Sequence, residues 1–383
     1  MKKILALVLA LCMIFALCAC GQKAAPAEEV VEEVVVEEVV EEPAGPAVAM
    51  ITDYGDITDQ SFNQTTYEAC KAFCEANGLG FQYYKPASDS DADRVASIET
   101  AIDEGFNVIV MPGYAFGPAI QEVAPAYEDV KFVALDVSEG DIGDLASAVP
   151  ANLYCAVYQE ELCGYMAGYA AVKLGYTKLG FLGGMAVPAV VRYGYGFVQG
   201  CDAAAAELGL TDVEVKYVYG NQFYGDADIT AYMDTWYQDG TEVVFACGGG
   251  IFTSAGEAAA KVGGKVIGVD VDQAPTIDGA YGDGITVTSA MKGLAATVNT
   301  VLSDIVADKF AGGKVDTLGL VSDVPAENYV QIAGSTQFAD GFTADDYAAL
   351  VASMFAGDVT VSNAIDTEPA VTAIAVDYQG NIK

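Results

Sequence analysis

From Ala47 onward the chain repeats one unit. A short run rich in Val, Ile or Phe closes on Gly, Pro or Asp, and a longer stretch with helical apolar spacing follows. Such runs are apolar on both faces, as parallel strands covered by helices should be. In the first half, strands are expected at 47–52, 80–84, 108–111 and 131–136, with helices at 61–76, 92–104 and 116–127. Within the second helix Val95, Ile98 and Ile102 fall at i, i+3 and i+7. After the stretch Ala148–Tyr154 a second set begins. Its helices are expected at 159–174, 189–207, 227–238 and 253–262, alternating with strands at 178–182, 213–217, 243–246 and 265–269. The repetition predicts an α/β protein of two similar doubly wound lobes. The tail breaks the pattern: a short strand at 285–288, a helix at 294–308, and a looser segment from 321 to 383. It is expected to cross between the lobes more than once and form the hinge.

Composition narrows the function. The 383 residues carry a net charge of −37, so phosphates would be repelled and a nucleic-acid partner is not expected. The chain has no histidine. That removes the usual general base, the usual zinc ligand and the Ser-His and Cys-His pairs; an enzyme would have to work with carboxylates, and a binding protein rather than an enzyme is the expectation. Six of the nine cysteines (Cys70, Cys74, Cys155, Cys163, Cys201, Cys247) sit on helical or apolar segments with no C-x-x-C pair. They read as buried thiols; no metal or cofactor is expected.

The N-terminus has its own logic. Met1-Lys-Lys3 precedes an apolar run from Ile4 to Leu17, too short to span a membrane comfortably. The run ends Leu17-Cys-Ala-Cys-Gly21, which resembles a bacterial lipobox with Cys20 as the lipidated residue. Eight glutamates then alternate in pairs with valines between Glu28 and Glu42. Their charge density opposes compaction, so an extended spacer is expected. The expected division is a signal peptide at 1–19, the lipidated cysteine and spacer at 20–46, a first lobe at 47–155 plus 286–318, and a second at 156–285 plus 319–383.

Candidate ligand groups gather at strand ends, where open α/β sheets bind ligands. The loop from Asp53 to Asn63 joins the first strand to the first helix. It offers Phe62 as a stacking face, with Asn63, Asp53 and Asp59 as polar edges. Equally, Ser61 or Asp59 could simply cap the helix. Asp53, Asp56 and Asp59 recur every third residue, a poor match to a calcium loop. Asp136 follows a strand and suits a sugar hydroxyl or a turn. In the loop Tyr219–Asp226, Phe223 or Tyr224 could supply a second aromatic face. Gly248, in a Gly-Gly-Gly turn, allows close backbone approach, without the spacing of a phosphate loop. Asp270 just past a strand could take vicinal hydroxyls, and Lys292 could donate to a base carbonyl or a sugar oxygen.

Six segments together resemble the basic membrane protein family, lipoproteins of the purine nucleoside receptor type. They are Asp53–Asn63, Gly164-Tyr-Met-Ala-Gly-Tyr-Ala-Ala171, Gly180-Phe-Leu-Gly-Gly184, Gly196-Phe-Val-Gln-Gly200, Gly268-Val-Asp-Val-Asp-Gln273 and Thr288-Ser-Ala-Met-Lys292. The resemblance spans about Val48 to Lys292. It implies a type I periplasmic-binding-protein fold, two Rossmann-like lobes with a multi-strand hinge and a nucleoside, a purine one in the first instance, between them. It also implies ABC permease partners, a lipid anchor at the outer face of the cell membrane, and a monomer. Phe62 and Phe223 would stack on the base. Asp270 and Lys292 would hold ribose and base edges, and Asn63, Asp53 and Asp136 would complete the polar contacts. Gly248 would be a backbone contact. The family loop often reads Gly-Ser-Phe followed by an acidic residue, whereas this one reads Gly220-Asn-Gln-Phe-Tyr. Two alternatives stand beside this reading: a receptor or sensor for another small ligand such as a sugar or amino acid, and a carboxylate-dependent nucleoside hydrolase.

Overall fold

The computed structural model describes residues 45–53 and 55–383. The expected signal peptide, Cys20 and the expected spacer as far as residue 44 therefore lie outside the described residues.

Two sheets organise the chain. The first contains β1 (Ala47–Ile51), β2 (Gly80–Tyr84), β3 (Val108–Pro112), β4 (Lys131–Leu135), β5 (Leu153–Tyr158) and β11 (Lys314–Leu318), in the order β11-β5-β4-β3-β1-β2. The second contains β6 (Lys178–Gly183), β7 (Val213–Tyr219), β8 (Val243–Cys247), β9 (Lys265–Asp270), β10 (Thr286–Lys292), β12 (Val330–Ile332) and β13 (Ile374–Asn381), in the order β12-β10-β9-β8-β6-β7-β13. All pairings are parallel except β10 with β12. The two lobes are wound alike: β2-β1-β3-β4-β5 in one corresponds to β7-β6-β8-β9-β10 in the other. Each therefore has a switch point beside its first strand, where a crevice opens at the strands' carboxyl ends.

The strand sequences explain the layering. In the first sheet Val48, Met50, Val110 and Val133 face one buried cluster, while Ala49, Ile51, Ile109 and Ala134 face another. Alternate side chains point to opposite faces, and both faces are dry. The helices covering the sheets are α1 (Phe62–Asn77), α2 (Asp91–Asp103), α3 (Gly117–Ala126), α4 (Glu160–Lys173), α5 (Pro188–Leu208), α6 (Ala227–Gln238), α7 (Phe252–Val262), α8 (Ala274–Tyr281), α9 (Leu294–Val306) and α10 (Ala344–Phe355).

Helices α4 and α5 touch backbone to backbone. A Cβ added at Gly164 would lie 2.2 Å from the Tyr193 carbonyl oxygen, and one at Gly168 2.2 Å from that of Phe197. On the facing helix, Gly196 and Gly200 meet the carbonyls of Glu161 and Tyr165 at 2.1 Å. Two small-residue pairs four apart thus allow a contact that any side chain would prevent. This contact carries the start of α4 to the first turns of α5.

The chain passes between the lobes three times: from β5 to α4, from β10 to α9, and from β11 to β12. The passages bond one another, Gln159 N–H to the Leu318 carbonyl at 3.0 Å, Gly293 N–H to that of Tyr329 at 2.7 Å, and Tyr329 N–H to that of Gly319 at 3.1 Å. Two expected lobe boundaries shift accordingly. Residues 286–292 belong to the second sheet, because β10 pairs with β9 and β12. Residues 156–158 belong to the first sheet, because β5 pairs with β4 and β11 through Tyr158. The tail is more regular than its polarity suggests. It adds β13 as an edge strand beside β7, and α10, capped by Thr343 and Asp346.

Candidate functional site

The crevices of the two lobes face each other and enclose a cavity of about 590 Å³. All eight residues singled out as ligand groups line it: Asp53, Phe62, Asn63, Asp136, Phe223, Gly248, Asp270 and Lys292. The rims also bond directly. Ser61 donates its hydroxyl to Asp270 Oδ2 at 2.6 Å, Gln273 Nε2 donates to the Gln60 carbonyl at 3.0 Å, and Thr276 Oγ1 donates to Gln60 Oε1 at 3.2 Å.

The first loop resolves the choice of cap. Asp59 accepts from the N–H groups of Ser61, Asn63 and Gln64 at 2.9–3.0 Å and from Asn63 Nδ2 at 3.1 Å. Asp59 therefore ties down the start of α1, and the Ser61 hydroxyl is released to reach the other lobe. Burial pushes the Asp59 carboxyl above the usual range, with those hydrogen bonds opposing it. Asp53 accepts from Gly55 N–H at 2.8 Å, and Asp56 pairs with Lys85 at 2.9 Å. The three aspartates thus have separate tasks.

Asp136 and Asp270 occupy matching positions, at the ends of β4 and β9. Both have left-handed backbone, φ 58° and 64°. Gln60 and Asn221, which also line the cavity, share this conformation at 57° and 59°. It is uncommon for non-glycine residues, and such backbone concentrates at functional sites.

Lys292, at the end of β10, ties the two aspartates together. Its ammonium lies 2.5 Å from Asp136, 3.4 Å from Glu160 and 3.8 Å from Asp270, and its side chain is 3% exposed. It also sits 4.8 Å from the Phe62 ring centre and 5.4 Å from that of Tyr158. Burial works to lower the lysine's pKa, but the surrounding carboxylates outweigh it and hold the ammonium firmly protonated. Burial pushes the Asp136 carboxyl up to about 6 despite Lys292. The Asp270 carboxylate is engaged on both oxygens, by Ser61 on Oδ2 and by the Tyr193 hydroxyl at 3.2 Å on Oδ1. By contrast, Asp136 Oδ1 and Asn63 Oδ1 are buried and accept no hydrogen bond among the described residues.

The second aromatic is seated by glycines. A Cβ on Gly184 would come 2.5 Å from the Phe223 ring and one on Gly248 2.9 Å. Gly248 thus has a packing duty as well as a place in the cavity wall. Phe223 is partly buried, whereas its neighbour Tyr224 is 63% exposed.

Sequence reasoning missed a second ion pair. Glu160, fully buried at the start of α4, shares its carboxylate between Lys292 and Arg192, whose Nε lies 2.6 Å away. Carboxylates in a first turn look like ordinary dipole partners. The available signal was scarcity, since Arg94 and Arg192 are the chain's two arginines.

Two facing α/β lobes, a three-passage hinge and a cavity between them lined by apolar and charged side chains define a binding protein of the periplasmic type. This geometry has counterparts among solved structures. A solute-binding protein of an ABC transporter system from Aeropyrum pernix K1 superposes with a TM-score of 0.64 at 21% identity, covering 82% of this chain and 87% of that one. The family described as "ABC transporter substrate-binding protein PnrA-like" (Bmp) matches residues 47–328, and the chain belongs to it. Relatives include the "ABC transporter nucleoside-binding protein BmpA" of Lactococcus lactis subsp. cremoris, 29% identical over 71% of this chain and 78% of its own length. "Basic membrane protein A1" of Borrelia garinii subsp. bavariensis is 27% identical over 85% of this chain and 87% of its own. This chain is thus an ABC transporter substrate-binding protein. Among the described residues no helix is long and apolar enough to cross a membrane.

Proposed function

We propose that the chain is a lipid-anchored, monomeric receptor that delivers a nucleoside, a purine one in the first instance, to its ABC permease. The observation that carries this reading is that one cavity holds two aromatic rings, Phe62 and Phe223, together with two buried acceptors that lack donors among the described residues. A flat heterocycle with hydroxyl donors satisfies both demands. Base stacking contributes about 1–3 kcal/mol per ring, so two rings supply a large share of the ~8 kcal/mol of a micromolar complex. In this reading Asp136 Oδ1 and Asn63 Oδ1 take ligand donors, Asp270 accepts from ribose hydroxyls with its remaining lone pairs, and Lys292 donates to a sugar or base oxygen. Asp53 and the Gly248 backbone complete the contacts. The relative named as nucleoside-binding supports the ligand class. Binding and lobe closure suffice, and no bond of the ligand need be broken.

Isothermal titration of the mature chain against nucleosides, sugars and amino acids tests this. Heat from a nucleoside is expected. Heat from a sugar or amino acid alone would discard the ligand while keeping the transporter class. The anchor is tested by Cys20→Ser, which should move the protein from membrane to soluble fractions; unchanged partition would rule out lipidation at that residue.

A further inference from the structure

Arg192 lines the cavity, yet the nucleoside reading gives it no task. Its side chain is 16% exposed, and its Nε is fixed by Glu160, a carboxylate with no exposure at all. Glu160 directly precedes Glu161, whose backbone meets Gly196 where α4 and α5 touch, and it is anchored on its other oxygen by Lys292. The guanidinium plane is thus locked at one corner. Among the described residues, its two terminal nitrogens make no hydrogen bond. A guanidinium carries five N–H donors in a rigid fork, so four of them remain unused at the edge of a cavity.

The surroundings indicate what this edge takes. Glu160, Asp136 and Glu161 all act electrostatically on Arg192. With Asp270 and Lys292 included, four carboxyl groups share two cations. A ligand phosphate placed on Arg192 would face these carboxylates, with like charges close together and poorly solvated. An uncharged hydroxyl or carbonyl oxygen meets no such penalty and still gains a charge-assisted bond. Asp136 Oδ1, an acceptor without a donor, complements it: together the two groups present a donor and an acceptor to one ligand.

We infer that Arg192 is a specificity-determining residue of the cleft, whose free guanidinium edge donates to an uncharged oxygen of the nucleoside and so excludes phosphorylated ligands. This rests on the nucleoside reading. The test is titration of the wild type, Arg192→Ala and Arg192→Lys with inosine. It adds four analogues, each lacking one oxygen (2′-deoxy-, 3′-deoxy- and 5′-deoxyinosine, and purine riboside), and inosine 5′-monophosphate. Loss of a charge-assisted bond should weaken inosine binding about 10- to 100-fold in Arg192→Ala. One analogue should be weakened comparably in the wild type and lose nothing further in Arg192→Ala. The monophosphate should bind the wild type more weakly than inosine. Arg192→Lys keeps the charge beside Glu160 but not the fork, and should fall between the two; it carries the test alone if the alanine variant does not fold.

Wild-type protein that binds inosine, with the variant that folds binding it within twofold, would overturn this inference alone. So would all four analogues suffering the full further loss in Arg192→Ala, or a monophosphate that binds best. Wild-type protein that binds no nucleoside would defeat the functional reading, and this inference with it.

Discussion

Replacing Lys292 with Met removes the one cation shared by Asp136, Glu160 and Asp270. The three acids do not suffer equally. Glu160 keeps Arg192 at 2.6 Å, and Asp270 keeps the hydroxyls of Ser61 and Tyr193. Asp136 keeps no side-chain hydrogen-bond partner among the described residues, only the longer-range field of Arg192: Lys292 bonds Oδ2, and Oδ1 has none. The loss therefore falls mainly on one carboxylate. Removing one partner of a buried pair costs about 3–5 kcal/mol, because the other is left charged and unsolvated. The Asp136 carboxyl is already raised to about 6 with Lys292 present, and without it must rise further. An acid whose folded pKa is raised penalises the folded state above that pKa and relieves it below, as the proton binds.

Urea unfolding of Lys292→Met should thus show a deficit of about 3–5 kcal/mol at pH 8 that shrinks markedly at pH 5. Adding Asp136→Asn removes the stranded charge and should restore much of the loss at pH 8. A deficit equal at both pH values, or a double variant no more stable than Lys292→Met, would refute the argument. The lysine would then contribute by packing its methylene stem rather than by its charge.

Gly184→Ala places a methyl 2.5 Å from the Phe223 ring and should displace it. Loss of one stacking face weakens nucleoside binding by about 1–3 kcal/mol while melting changes little, as titration and calorimetry would record; unchanged affinity would mean Phe223 does not touch the ligand. Glu161 is pushed by burial from 4.5 up to about 7, and its Oε2 has no described partner. Its raised pKa favours folding below about 4.5, an advantage lost as pH rises through about 7. At about 1.4 kcal/mol per unit, Glu161→Gln should therefore stabilise the protein by up to ~3 kcal/mol at pH 8 and hardly at all at pH 4.5. Thermal denaturation giving the same shift at both pH values would contradict this.

What could be read from the sequence, and what could not, follows the range of the forces involved. Strands such as Val108–Pro112 are legible because both faces are buried, leaving a continuous apolar run. The cavity-lining acids are legible because parallel winding sends every strand's carboxyl end to one rim, so Asp53, Asp136 and Asp270 needed only their place after a strand. Lobe membership is different. β10 reads as a strand locally, but its sheet is decided by β9 and β12, and β12 lies some forty residues further on. The same holds for β5, whose partners β4 and β11 straddle it in sequence. Charge balance is the least local property of all. Lys292 and Arg192 lie a hundred residues apart, and either alone reads as a surface cation. Only the contact of Gly164 and Gly168 with α5 brings Glu160 to Arg192, and only the end of β10 brings Lys292 to Glu160. The acids at the rim can be placed from local sequence, whereas the placing of the cations between them depends on how closely two helices can approach.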